Sequence, residues 1–235
     1  MWKNTTQAIY QVESSFKNAE KYKSKLIPEI LDMEGMTGKK TKHLYNNLMN
    51  TCHKINFLEI GSWRGSSFVS SMYNNNNVYG IAVDDFNPNY GGPNAGIDNY
   101  SIMKQNCEKF LTEKQKYEIK VKEFYELNVN ELPKIDVYLY DGDHIDHFQY
   151  NAFKKMHPCF ADICIVVIDD YNATGVQNGT TLAKREFGKE IPFNIVHEKV
   201  ITYTTDGSHT PIDIAKEEYW NGIYVCVLEK INEVK

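Results

Sequence analysis

From about residue 55 onward the chain alternates between short apolar runs and stretches with helical periodicity. Five runs rich in β-branched and aromatic residues read as strands: Asn56–Ile60, Val78–Val83, Ile119–Glu123, Ile135–Tyr140 and Ile163–Ile168. Between them Ser66–Tyr73, Asp98–Thr112, Ile145–His157 and Thr180–Phe187 read as helices. Strand and helix in alternation predict βαβ units, and so an α/β, doubly wound, mostly parallel sheet covered on both faces. The tail breaks this rhythm. Phe193–Tyr203 and Ile223–Glu229 read as two more strands without a clear crossover helix, which predicts a seven-stranded sheet closed by an antiparallel hairpin. Residues 1–50 read as three helices, Thr5–Lys23, Lys25–Met33 and Lys40–Met49. They predict a helical cap ahead of an α/β unit over 51–235, within one compact molecule.

Composition narrows the class. With 235 residues, 42% hydrophobic and 24% charged, one globular domain with a full core is expected. The net charge of −5 argues against a nucleic-acid footprint, and Lys-rich stretches such as Lys17–Lys25 and Gly38–His43 read as solvated helix faces. No run of about 18 apolar residues predicts a membrane span, and MWKNTTQAIYQ lacks the apolar centre of a signal peptide. Five cysteines, odd in number and without CxxC spacing, fit reduced core residues of a cytoplasmic protein. A homo-oligomer is compatible with this composition but not required by it.

Two strands end in acids. Ile135–Tyr140 runs into Asp141 and Asp143, and Ile163–Ile168 into Asp169 and Asp170. Joined in parallel by the helix between them, both would release their carboxylates at the sheet's C-terminal edge, where open α/β sheets bind ligands. Carboxylates gathered there point to a hard metal ion, with His144 beside it as a candidate base. Upstream, Glu59-Ile60-Gly61-Ser62-Trp63-Arg64-Gly65-Ser66 is a strand passing through a glycine turn into a helix. Gly61 permits the bend and a close ligand approach, while Gly65 and Ser66 open the helix. Trp63 occupies the place of the second glycine in a dinucleotide fingerprint, which weakens an NAD-dependent oxidoreductase reading. Glu59 can face the cleft and pair with an ammonium group. The next strand ends in Asp84 and Asp85, roughly 20 residues on, where an acid can accept both hydroxyls of a ribose.

Glu59-x-Gly61-x-x-x-Gly65, with an acid closing the second strand, resembles the class I S-adenosylmethionine-dependent methyltransferases. DGDH at 141–144 and DDYN at 169–172 look like the metal-dependent O-methyltransferases, both the catechol-type enzymes and the group acting on macrolide sugars. The resemblance covers about Lys54–Phe187. It implies S-adenosylmethionine as donor and S-adenosylhomocysteine as product. Gly61, Ser62, Trp63, Gly65 and Ser66 would pass around the methionine part, Asp84 or Asp85 would hold the ribose, and Phe124 would border the adenine. The chain departs from the pattern at Ala82, where many relatives carry the ribose-binding acid. By the same resemblance Asp141, Asp169 and Asp170 would hold Mg²⁺ or a similar divalent cation, Asp141 also bordering the cofactor. His144 stands where the catechol-type enzymes have a lysine. It is the candidate base with Asp141 beside it, Asp143 and His147 being alternatives.

The expected activity is Mg²⁺-dependent methyl transfer to a small hydroxylated acceptor, such as a sugar or sugar-containing metabolite, with no nucleic-acid or membrane partner. A catalytically silent S-adenosylmethionine-binding regulatory or scaffold module is the alternative from a different class. The Asn87–Gly96 loop has the composition of a lid, Tyr171–Thr180 that of an acceptor-contacting loop, and Gly35–Asn50 is expected to cover the cofactor cleft.

Overall fold

The computed structural model describes residues 1–88, 96–204 and 208–231. Its strands are β1 (Ile55–Ile60), β2 (Val78–Asp84), β3 (Lys116–Val121), β4 (Ile135–Tyr140), β5 (Phe160–Asp169), β6 (Phe193–Ile201) and β7 (Ile223–Lys230). They form one sheet in the order β3-β2-β1-β4-β5-β7-β6. The first five are parallel, and β7 inserts antiparallel between β5 and β6. The predicted architecture is therefore the observed one, closing hairpin included.

The central strands read as unbroken apolar runs because both faces are buried. Phe57, Val137, Ile165 and Val225 point into one core, while Leu58, Tyr138, Val166 and Cys226 point into the other. Onto the first face pack α1 (Thr5–Ala19), α3 (Lys39–Leu48), α4 (Ser66–Met72) and α5 (Asn99–Phe110). Onto the second pack α6 (Asp146–Lys154) and α7 (Thr174–Lys184). Two short helices, α2 (Pro28–Leu31) and α8 (Ile212–Glu217), lie in connections. Helix α1 starts where Asn4 accepts a hydrogen bond from the Gln7 amide, and it buries Ala8, Val12, Phe16 and Ala19, one stripe of its surface. That stripe shares its core with the sheet.

Several boundaries differ from the sequence reading, each for a physical reason. Strand β3 begins three residues early, at Lys116; it is an edge strand that pairs only with β2, so its apolar signal is weak. Helix α7 begins at Thr174, not Thr180. Gly175 and Gly179 look like loop residues, yet they lie inside the helix where a Cβ would collide with the backbone carbonyls of His144 and Asp146. They let α7 press against the entry of α6. Lys42 and His43 are not on a solvated face but buried. The Lys42 ammonium donates to the carbonyls of Ile30 (3.2 Å), Leu31 (2.9 Å) and Met33 (2.9 Å), closing the end of α2, and burial pulls its pKa down to about 8. Helix α8 was not anticipated. Most of the Asn87–Gly96 loop read as a lid falls outside the described residues.

Candidate active site

Parallel strands β1, β2, β4 and β5 deliver their C-terminal ends to one edge of the sheet. At β1 the chain turns at Gly61, whose φ is +85° and whose amide donates to the Val83 carbonyl at 2.9 Å. The Asp141 amide donates to the Ile60 carbonyl at 2.9 Å, so the exits of β1 and β4 touch. A Cβ on Gly61 would overlap the Asp141 carbonyl, which is why a residue without a side chain stands there. The turn is held from below by Asp84. Its Oδ2 accepts from the Trp63 amide (2.8 Å) and its Oδ1 from the Phe86 amide (2.7 Å), while Trp63 itself adopts φ +42°.

A cavity of about 350 Å³ opens beside this turn, walled by Gly61, Trp63, Asp85, Phe124, Tyr140 and Asp141. Asp84 also reaches its wall. Of the other residues predicted to meet the cofactor, Glu59, Ser62, Gly65 and Ser66 lie behind the lining. Glu59 is fully buried. Its Oε2 accepts from the Ser62 hydroxyl at 3.1 Å, and burial pushes its carboxyl up to about 8. Glu59 Oε1 and the Ser66 hydroxyl are buried with no hydrogen-bond partner among the described residues. Asp85 accepts from the Asn87 amide at 3.1 Å and meets Glu123, whose carboxyl is raised by hydrogen bonding to it.

The acids at β4 and β5 separate into two groups. Asp141, His144 and Asp170 each offer a ligand atom within 4.8 Å of the others. His144 Nε2 stands 3.1 Å from Asp170 Oδ2 and 3.8 Å from Asp141 Oδ1. Desolvation at this corner, reinforced by Asp170, holds the Asp141 carboxyl well above the usual carboxylate range. Asp170 is also raised by burial, against the opposing pull of His144, and its backbone is left-handed at φ +53°. Asp169 is buried and turned the other way. Its Oδ2 accepts from the Tyr45 hydroxyl at 2.8 Å and its Oδ1 from the Asp170 amide at 2.9 Å. The two alternative bases sit apart from the cluster. Asp143 accepts from the Ile145 amide at 3.0 Å at the entry of α6, and the exposed His147 ring packs on Phe148.

Three contributors escaped the sequence reading. Tyr45 arrives from α3 to donate to Asp169, and Asn221, just before β7, pairs its carbonyl with the Asn172 amide and bonds His209. No local motif marks any of them. Tyr45 reads as one apolar position among several on its helix, and Asn221-Gly222 as an ordinary turn.

The strand order, the glycine turn entering a helix and the cavity at the sheet edge define the fold of class I S-adenosylmethionine-dependent methyltransferases. No protein-family model matches the chain, and no curated protein matches its sequence. Solved structures do match its fold. An O-methyltransferase from Bacillus cereus, in complex with SAH, aligns at a TM-score of 0.55 with 10% identity over 94% of this chain and 91% of that one. Cofactor-bound Rv0187 from MTB aligns at 0.56 with 10% identity over 95% and 91%. TrmN from Thermus thermophilus aligns at 0.51 with 9% identity over 86% of this chain but 52% of that one, so the chain spans about half the length of TrmN. Among the described residues, no helix is long and apolar enough to cross a membrane.

Proposed function

We propose that the chain is a metal-dependent O-methyltransferase of the catechol-type and macrolide-sugar kind. It would move a methyl group from S-adenosylmethionine to a hydroxyl of a small acceptor such as a sugar or sugar-containing metabolite. One observation carries the reading: Asp141 belongs both to the wall of the cavity and to the Asp141–His144–Asp170 cluster, so donor pocket and acid corner share a side chain.

The residues fit both groups. The unpartnered Glu59 Oε1 and Ser66 hydroxyl are buried acceptors suited to the cofactor's ammonium, and the Gly61–Ser66 turn offers its backbone. Asp84 has both oxygens committed to the turn, so Asp85 is the better ribose partner, with Phe124 bordering the adenine. The carboxylate oxygens of Asp141 and Asp170 suit a hard divalent cation such as Mg²⁺ or Mn²⁺, leaving the imidazole of His144 unliganded beside them. Asp141 and Asp170 would hold it directly; Asp169, braced by Tyr45, would close the set or fix the Asp170 backbone. Bound there, the cofactor supplies a sulfonium methyl and the cation lowers the acceptor hydroxyl's pKa. His144 Nε2 receives the hydroxyl proton, and Asp170 orients the ring and stabilises its charged form. Trp63 in place of a glycine disfavours the NAD-dependent alternative.

Calorimetry should show S-adenosylhomocysteine binding and NAD not binding; the reverse would overturn the reading. Asp169→Asn combined with Asp170→Asn should remove Mg²⁺-dependent methyl transfer to a panel of catechols and glycosides while sparing S-adenosylhomocysteine binding. Undiminished transfer in excess chelator would refute the metal.

A further inference from the structure

The 21 residues between β6 and β7, described except for 205–207, carry a second imidazole, His209, on a connection tied to the chain just past Asp170. The connection is anchored by Asn172, two residues past Asp170. Its amide nitrogen side donates to the Thr210 hydroxyl (3.0 Å), its Oδ1 accepts from the Tyr203 amide (3.0 Å), and its backbone amide donates to the Asn221 carbonyl (2.7 Å). Residues 203, 210 and 221 are thus tied to the chain leaving β5.

Asn221 then decides the state of His209. Its Oδ1 accepts from the Thr210 backbone amide at 2.7 Å, and a backbone N–H can only donate, so the orientation of the side-chain amide is fixed. Nδ2 therefore faces His209 Nδ1, at 2.5 Å, and must donate to it. A ring nitrogen that accepts carries no proton, so His209 is the neutral tautomer with its hydrogen on Nε2. The imidazole is exposed, and no hydrogen bond to its Nε2 occurs among the described residues. The Asn221 carbonyl accepts from the Asn172 amide, which sets this pair two residues beyond Asp170, whose Oδ1 is buried without a hydrogen-bond partner among the described residues. The two histidines thus differ in kind. His144 Nε2 faces carboxylates, whereas His209 offers an N–H donor prepared by its neighbours.

We propose that His209 is a specificity-determining residue, its Nε2–H donating to a second oxygen of a polyhydroxylated acceptor beside the hydroxyl that is methylated. Asn221 is the positioning residue that fixes the His209 tautomer. This rests on the methyltransferase reading. Satisfied amides behind the donor keep it aimed before the acceptor arrives, and a site built to bond an oxygen rejects analogues that lack one.

The test uses the full chain with ¹⁵N-labelled histidine, S-adenosylhomocysteine and Mg²⁺. Ring-nitrogen NMR should show His209 with a bare Nδ1 and a protonated Nε2, and Asn221→Leu should mix the tautomers. Adding catechol or a methyl hexoside should then shift the Nε2 resonance. In turnover with S-adenosylmethionine, His209→Ala should raise KM for the preferred diol about three- to tenfold, the worth of one neutral hydrogen bond. Its kcat should stay nearly constant and its preference over the mono-hydroxy analogue should be lost, while His209→Gln, which keeps an N–H, recovers part. A protonated Nδ1, an Nε2 resonance unmoved by every probe, or an unchanged diol preference in His209→Ala would overturn the proposal. Failure of S-adenosylhomocysteine to bind would instead overturn the methyltransferase reading, leaving the tautomer measurement to stand alone.

Discussion

The two halves of the sheet edge are assembled in different ways. The glycine-turn half, beside the cavity and proposed to hold the cofactor, is built from two short segments, Glu59–Ser66 and Asp84–Phe86, placed side by side by the parallel register of β1 and β2. The acid corner draws on distant parts of the chain: Tyr45 from α3, Asp141 and His144 after β4, and Asp169 and Asp170 at β5, with the turn before β7 paired to Asn172 just beyond them. The first half is a local motif and the second a tertiary construction. Even neighbours in sequence part company in the second: Asp170 joins His144, while Asp169 turns to Tyr45. The glycine-turn half should therefore respond to changes within its own turn, and the corner to changes made far from it.

The largest effect should come from the turn. Gly61→Ala puts a side chain into the Asp141 carbonyl at a positive φ, and should abolish S-adenosylhomocysteine binding in calorimetry and lower the melting temperature by several degrees, for a strain of about 2 kcal/mol or more. Next, His144→Ala should cut turnover by roughly 10²–10⁴-fold, with S-adenosylhomocysteine affinity nearly unchanged. A near-normal rate would move the base to Asp143 or leave activation to the metal alone, and equal loss of both properties would erase the contrast between the halves.

A pH effect belongs to the glycine-turn half. Glu59 has its folded pKa raised from 4.5 to about 8, so the free protein holds a proton there that the unfolded chain gives up. On that account the stability of the free protein falls as pH rises from about 4.5 to 8 and is level above. An ammonium on Glu59 reverses the preference. S-adenosylhomocysteine affinity should then rise by up to about tenfold per pH unit below 8, with proton release in calorimetry. Glu59→Gln should flatten this profile. The smallest effect should be the most distant one. Tyr45→Phe removes one hydrogen bond to a buried carboxylate, about 1.5–3 kcal/mol, and should weaken Mg²⁺ activation about tenfold while sparing cofactor binding. Unchanged metal dependence in Tyr45→Phe would show that Asp169 needs no brace.

The strand, glycine turn and helix beside the cavity were legible because their signals are local. A strand, a glycine turn and a helix follow one another in sequence, and the next acid-ended strand lies beside them in the register. The acid-ended strands β4 and β5 were legible for the same reason, but their division of labour was not. Nothing in Asp169-Asp170 says which carboxylate meets a tyrosine 124 residues away. Likewise Gly175 and Gly179 spelled a loop until α6 required a close neighbour, and Lys42 spelled a solvated face until the end of α2 required a donor.

The apolar periodicity of this chain determined its strand and helix alternation, the two-faced burial of its sheet and the edge at which its acids emerge, since each depends on residues a few positions apart. Only the tertiary structure decided that both oxygens of Asp84 accept from backbone amides, that His144 stands with Asp141 and Asp170, and that Asn221 bonds to His209 Nδ1. Those outcomes depend on which donors and acceptors the fold brings within hydrogen-bonding distance across long loops, and a short, directional interaction between distant residues leaves no periodic trace in the sequence.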